Sequence, residues 1–188
     1  MKLYLIVIFV LMCVAQWYVP GAMILEQEDV LRSGKVFRFK TAPIDPSDPF
    51  RGKYITLDFE SEVFKHNKGR RWERGETVFV LLGESEDGFA QISDIADSAP
   101  GYSIDFLKAE VAFSSEESVR VDFPFDRFYL EESKASDAEK IYWERQNNQN
   151  DSTQTAYALV RIKNGQAVLE DVLINDRSII DIVRELQN

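Results

Sequence analysis

The chain is nearly without thiol and imidazole: its 188 residues hold one cysteine, Cys13, and one histidine, His66. Cys13 lies in an apolar N-terminal run, so the rest of the chain has no intrachain disulfide and no thiolate metal site. Its redox compartment therefore cannot be read from cysteine pairing. A single imidazole removes His-cluster metal sites and leaves any His-based triad resting on one loop residue. Positive charge is short as well, with 22 Lys and Arg against 32 Asp and Glu and a net charge of −10. That sign argues against nucleic acid, where phosphate contacts supply most of the affinity, and disfavours direct adhesion to anionic lipid headgroups. No serine sits in a Gly-x-Ser-x-Gly context, and no glycine loop of the phosphate-cradling kind is present. No internal repeat occurs, and no cofactor is expected.

What remains is a globular balance: 45% hydrophobic, 12% aromatic and 29% charged residues. A chain of this length can build one ordinary domain with a sizeable core. It opens "MKLYLIVIFVLMCVAQWYVPGAMIL", apolar from Leu3 to Val19 and broken only by Gln16. At about 1.5 Å per helical residue that run spans roughly 25 Å, just short of a hydrocarbon core of about 30 Å. Trp17 and Tyr18 stand where an interfacial aromatic belt would lie, and Pro20-Gly21 is expected to end the helix. Three readings fit: a transmembrane anchor, a signal peptide cut after Ala15, or a lipid-modified Cys13. The anchor is favoured because no polar cleavage zone follows Ala15. All three export the remaining chain. Lys2 before the run, and Glu26, Glu28 and Asp29 beyond it, place the N-terminus inside and the domain outside. The expected division is an anchor over 1–25 and an extracytoplasmic domain over 26–188.

Beyond the anchor, period-two alternation dominates. Lys35–Thr41 reads as a strand in which Phe37 and Phe39 share a face opposite Val36, Arg38 and Lys40. Further strands are expected over 53–60, 77–82, 89–95, 102–107, 108–113, 119–123 and 128–131. "GESEDG" is expected to turn between two of them, because Asp87-Gly88 favours a hairpin. Residues 65–76, "KHNKGRRWERGE", read as a basic loop. The period then changes over "SKASDAEKIYWERQNNQ", where Ser136 and Glu139 have capping-box spacing and predict a mid-chain helix. "NNQNDSTQ" reads as a loop. "TAYALVRI" and "AVLEDVLI" form a hairpin around Asn164-Gly165, and Ile179, Ile182, Val183 and Leu186 mark one face of a short terminal helix. The expected fold is mainly β, a barrel-like or sandwich arrangement of short antiparallel strands with one mid-chain helix, plus the N-terminal transmembrane helix.

One stretch stands apart. "APIDPSDPFRGKYITLDF", residues 42–59, places Asp45-Pro46 and Asp48-Pro49 directly before an alternating strand. Each carboxylate can bond nearby backbone N–H groups while the proline fixes its own φ, and Gly52 lets another backbone approach closely. Arg51 can pair with either aspartate. Ile55, Leu57 and Phe59 then share one face, with Tyr54, Thr56 and Asp58 on the other, which predicts Leu57 and Phe59 buried. With Glu28 to Gly34 before it and "VFVLLGESEDGFAQI", "RFYLEE" and "GQAVLEDVLI" after it, this stretch resembles the GDYxxLxY family of uncharacterised bacterial membrane-anchored proteins. The likeness covers nearly the whole chain. It rests most on Pro43, Asp45, Pro46, Asp48, Pro49, Phe50, Arg51, Gly52, Tyr54 and Leu57. Lys53 and Phe59 depart from the family's Asp and last Tyr. The resemblance implies an uncleaved membrane anchor and supplies no reaction.

Two kinds of chemistry compete with the architectural reading. Asp45, Asp48, Asp58 and Glu132 could pair as acids for hydrolysis or as oxygen ligands, yet the first two already explain themselves as turn starters. The basic loop sets Trp72 among Arg70, Arg71 and Arg74, a combination suited to a glycan, an acidic partner or headgroups. The combined reading is a non-enzymatic accessory or interaction domain on a single-pass inner-membrane anchor, facing the periplasmic side and partnered by another membrane or envelope protein. The alternative is an envelope hydrolase or metal-binding protein using carboxylates near residues 45–58.

Overall fold

A computed structural model describes residues 3–42, 54–65, 70–101, 104–129 and 155–186. The mid-chain helix expected over 133–149, the loop over 147–154 and the run Pro43–Gly52 lie outside the described residues.

Helix α1 spans Leu3–Ser33, 31 residues, with Pro20 inside it. The expected stop at Pro20-Gly21 does not occur. Proline removes one backbone bond but carries a helix-compatible φ, and the strong helix formers from Ala22 to Leu31 propagate the helix beyond it. The helix closes where Gly34 N–H donates to the Val30 carbonyl at 2.8 Å. No residue of the apolar stretch is buried, whereas Val30 near the polar end is.

Two antiparallel five-stranded sheets follow. One runs β12-β11-β10-β1-β3, the other β4-β8-β7-β5-β6, and a two-stranded ribbon pairs β2 with β9. Strand β1 is Lys35–Ala42, β2 Tyr54–Thr56, β3 Asp58–Phe59, β4 Val63–Lys65, β5 Thr77–Glu84 and β6 Ala90–Ala96. Then come β7 Phe106–Ser114, β8 Ser118–Asp122, β9 Arg127–Tyr129, β10 Ala156–Lys163, β11 Gln166–Ile174 and β12 Arg177–Ser178. Helix α2, Ile179–Leu186, ends the described chain with Ile179, Ile182 and Val183 buried, the apolar face expected from its spacing. The inner faces of both sheets contribute to one core. Within it Phe39, Phe59, Phe123 and Phe125 pack with ring centroids 5.0 to 5.8 Å apart, in edge-to-face, tilted and stacked pairs. The mostly β architecture with an N-terminal apolar helix is therefore as expected.

The β10–β11 hairpin turns at Asn164 (φ 51°) and Gly165 (φ 82°), the two positive angles that a two-residue hairpin turn needs. Its tip also joins the second sheet: Gly165 bridges Leu107 in parallel, and Lys108 N–H donates to the Gly165 carbonyl at 2.9 Å. Two local expectations change. The strands expected over 102–107 and 108–113 meet without a break in β7, which begins only at Phe106, and residues 102–103 lie outside the described residues. The strand expected over 53–60 is split at Leu57, whose N–H donates to the Asp126 carbonyl at 2.8 Å, so β2 and β3 enter different sheets. Asn175 and Asp176, with φ of 51° and 63°, make a second tight turn between β11 and β12.

Candidate functional site

Of the signature residues, Pro43 to Gly52 lie outside the described residues. Tyr54 pairs with Tyr129 across the β2–β9 ribbon, and Leu57 is 1% exposed in the core beside Phe59. Asp58 is exposed on β3. The fold brings other carboxylates to it: Glu62, on the 3-10 turn Glu60–Glu62, and Asp122 on β8. Glu62 is buried, with Arg120 Nε 3.9 Å from its carboxylate. Burial first, then the negative charge of Asp58, push its carboxyl up to about 7, against the opposing pull of Arg120. Beside it the Ser61 hydroxyl is buried without a hydrogen-bond partner among the described residues.

The arginine loop is hydrogen-bonded to the last residues of β7. Gly75 N–H donates to the Val111 carbonyl, Val111 N–H returns a bond to Glu76, and Trp72 N–H donates to Ser114 Oγ at 3.1 Å. Trp72 is 6% exposed, so its ring belongs to the core instead of standing out among the arginines. Its indole N–H donates to Asp97 at 3.0 Å, and the Arg70 guanidinium lies 5.4 Å above the ring while pairing with Asp97 and Glu76. Arg71 bonds Glu116 at 2.7 Å. Arg74 is exposed and makes no ion pair among the described residues. Among the described residues of this run the arginines are therefore presented without the indole ring.

Beside this loop the structure adds residues that the sequence reading missed. Phe113 is 62% exposed, and it pairs across β7–β8 with Arg120, which in turn pairs with Val63 on β4, itself 47% exposed. Directly paired residues point to the same side of a sheet, so Val63, Arg120 and Phe113 form one outward row. Strand parity with buried Leu107, Ala109 and Val111 would have turned Phe113 inward. The register shift between Val111 and Phe113 reverses it. A shallow cavity of about 340 Å³ lies along the same sheet, bordered by Thr77, Lys108, Glu110, Asp122, Phe123 and Pro124.

The polar end of α1 forms a second cluster. Lys163 Nζ donates to Asp29 Oδ2 at 2.6 Å and to Ser33 Oγ at 2.7 Å. Gly34 sits so close to β10 that an added Cβ would meet the Val30 carbonyl at 2.5 Å and Ile162 backbone at 3.2 Å. Lys35 Nζ reaches Asp105 at 2.7 Å and Glu84 at 3.5 Å, and these contacts raise its pKa. Helix and β-domain are therefore joined through packed, hydrogen-bonded contacts and not through a bare linker. Among the described residues no group of three or more His, Cys, Asp or Glu is placed to hold a metal ion.

These features define a β-domain carried on a long apolar helix. The family model of the GDYXXLXY protein matches residues 16–172, from within α1 to within β11, and the chain belongs to that family. No curated protein and no solved structure matches it.

Proposed function

We propose that this chain is a membrane-anchored, extracytoplasmic accessory domain that presents an interaction surface to another membrane or envelope protein. The observation that carries the reading is the length of α1. Because the helix continues through Pro20, its uncharged stretch runs from Leu3 to Leu25, about 35 Å at 1.5 Å per residue, enough for a hydrocarbon core of about 30 Å. A secretory signal core is shorter, and proline inside a helix is tolerated in lipid. Lys2 on one side and the acids from Glu26 on the other favour the N-terminus in and the domain out, across the inner membrane. The anchor then covers 1–25 and the domain 26–188.

Arg71, Arg74 and Arg120 with Phe113 and Val63 suit an acidic partner segment carrying apolar side chains, since they stand out from a chain of net charge −10. The signature around Asp45 and Asp48 is assigned to architecture instead of chemistry. The test has two parts. Intact mass of the membrane-purified protein should show a start at or near Met1 and retention after a carbonate wash; a start at Gln16 overturns the anchor. Charge reversal at Arg71 and Arg74 should abolish co-purification of a membrane partner from detergent extracts while leaving the melting temperature unchanged. Undiminished recovery of that partner would remove the arginine surface from the proposal.

A further inference from the structure

We propose that one end of the β-domain, made by the β10–β11 hairpin tip and the residues leading into β7, rests in the headgroup layer of the membrane that α1 enters. The inference rests on the anchor reading and deepens it.

The uncharged part of α1 ends at Leu25, and the clamp to the domain begins at Asp29. At about 1.5 Å per residue those positions are roughly 6 Å apart along the helix. The interfacial region adds about 5–7 Å on each side of the hydrocarbon core, so Asp29 stands within or just above it. The hairpin runs back along the helix towards the apolar part. Ile162 backs onto Gly34, while Lys163, one residue nearer the tip, bonds Asp29 a turn and a half earlier in the helix. The polar end of α1 packs against both β10 and β11. Nothing flexible intervenes: Val30 is buried, Ser33 and Asp29 are both held by Lys163, and Arg161 approaches the Gly34 carbonyl at 3.5 Å.

The tip brings the start of β7 with it. Gly165 bridges Leu107, and the side of Gly165 where a Cβ would stand is filled by the Phe106 ring at 2.6 Å. Just before that strand Ile104 is 45% exposed, an aliphatic side chain at the end where α1 leaves. Lys35 and Lys163 at this end are paired with three carboxylates, Asp105, Glu84 and Asp29, so no positive charge is left over there. The contact therefore suits zwitterionic headgroups and needs no net positive field. Strand β7 then rises from Phe106 to Ser114, about 27 Å at 3.4 Å per residue. The turn at Glu116–Glu117 and the arginine loop bonded to Ser114 consequently lie at the opposite end, clear of the bilayer.

The experiment uses the full chain with Cys13→Ala, reconstituted in phosphatidylcholine–phosphatidylglycerol vesicles containing a headgroup nitroxide lipid. A bimane fluorophore is attached singly at Ile104→Cys, Gln166→Cys or Glu117→Cys. Quenching at 104 and 166 should exceed that at 117 by about threefold or more, because only the first two positions come within the interfacial layer. Equal quenching at all three overturns the seating. If Ile104→Cys does not fold, the comparison of 166 with 117 decides alone. In these vesicles α1 is present whatever cells do to it, so a cleaved N-terminus in cells counts against the anchor reading, and a flat quenching profile counts against the seating.

Discussion

The buried carboxyl of Glu62 offers the sharpest test of the packing. Burial and the nearby Asp58 and Asp122 outweigh Arg120 at 3.9 Å and push its carboxyl from the ordinary glutamate value of 4.5 up to about 7. The folded protein thus holds this proton more tightly than the unfolded chain does. Stability is undiminished below about pH 4.5, falls as pH rises towards 7, and stays lower by about 3 kcal/mol above that, at 1.36 kcal/mol per unit. Glu62→Gln keeps the shape and removes the charge, so it should melt like the wild type below pH 4.5. Above pH 7 it should be more stable by up to about 3 kcal/mol, a gain of about 6–12 °C for a domain of this size. Circular dichroism melts of the full chain in detergent, taken from pH 4 to 8.5, provide the readout. Asp171, also raised by burial, contributes a slope of the same sign to both proteins, so the difference between the profiles isolates Glu62. Arg120→Ala removes the one compensating cation and should steepen the wild-type fall. Parallel profiles for wild type and Glu62→Gln would refute the buried-carboxylate account.

Other perturbations read other parts of the fold. Leu57→Ala opens a space in the core where β2 gives way to β3, and chemical denaturation should show a loss of about 2–5 kcal/mol. Gly165→Ala sets a Cβ 2.6 Å from the Phe106 ring at a φ of 82°, so its cost should be about 1–3 kcal/mol, seen as a lower melting temperature. Ser61→Ala removes a buried hydroxyl with no partner among the described residues and should be neutral or stabilising by about 1 kcal/mol; a clear loss would reveal a bond to that hydroxyl.

Much of this protein was legible from short windows of sequence, because the physics that decides those features is local. Asn164-Gly165 tolerates the two positive φ angles of a tight hairpin, and the turn forms there. Alternation put Phe37, Phe39, Leu57 and Phe59 inside, and a helical spacing put Ile179, Ile182 and Val183 on one buried face. The apolar N-terminal run announced a helix fit for a membrane. The rest depended on partners far along the chain. Pro20 did not end α1, since residues after it carry their own helical preference and Val30 docks on the domain. A β-bulge turned Phe113 outward against its parity. Trp72 is buried because Ser114 and Asp97 hold its two N–H groups, and Glu62 is buried by the strands around its turn. The tertiary structure alone decided these positions, because burial, bulges and ion pairing are set by which strands come to lie side by side, and that choice minimises the free energy of the whole core instead of any one segment.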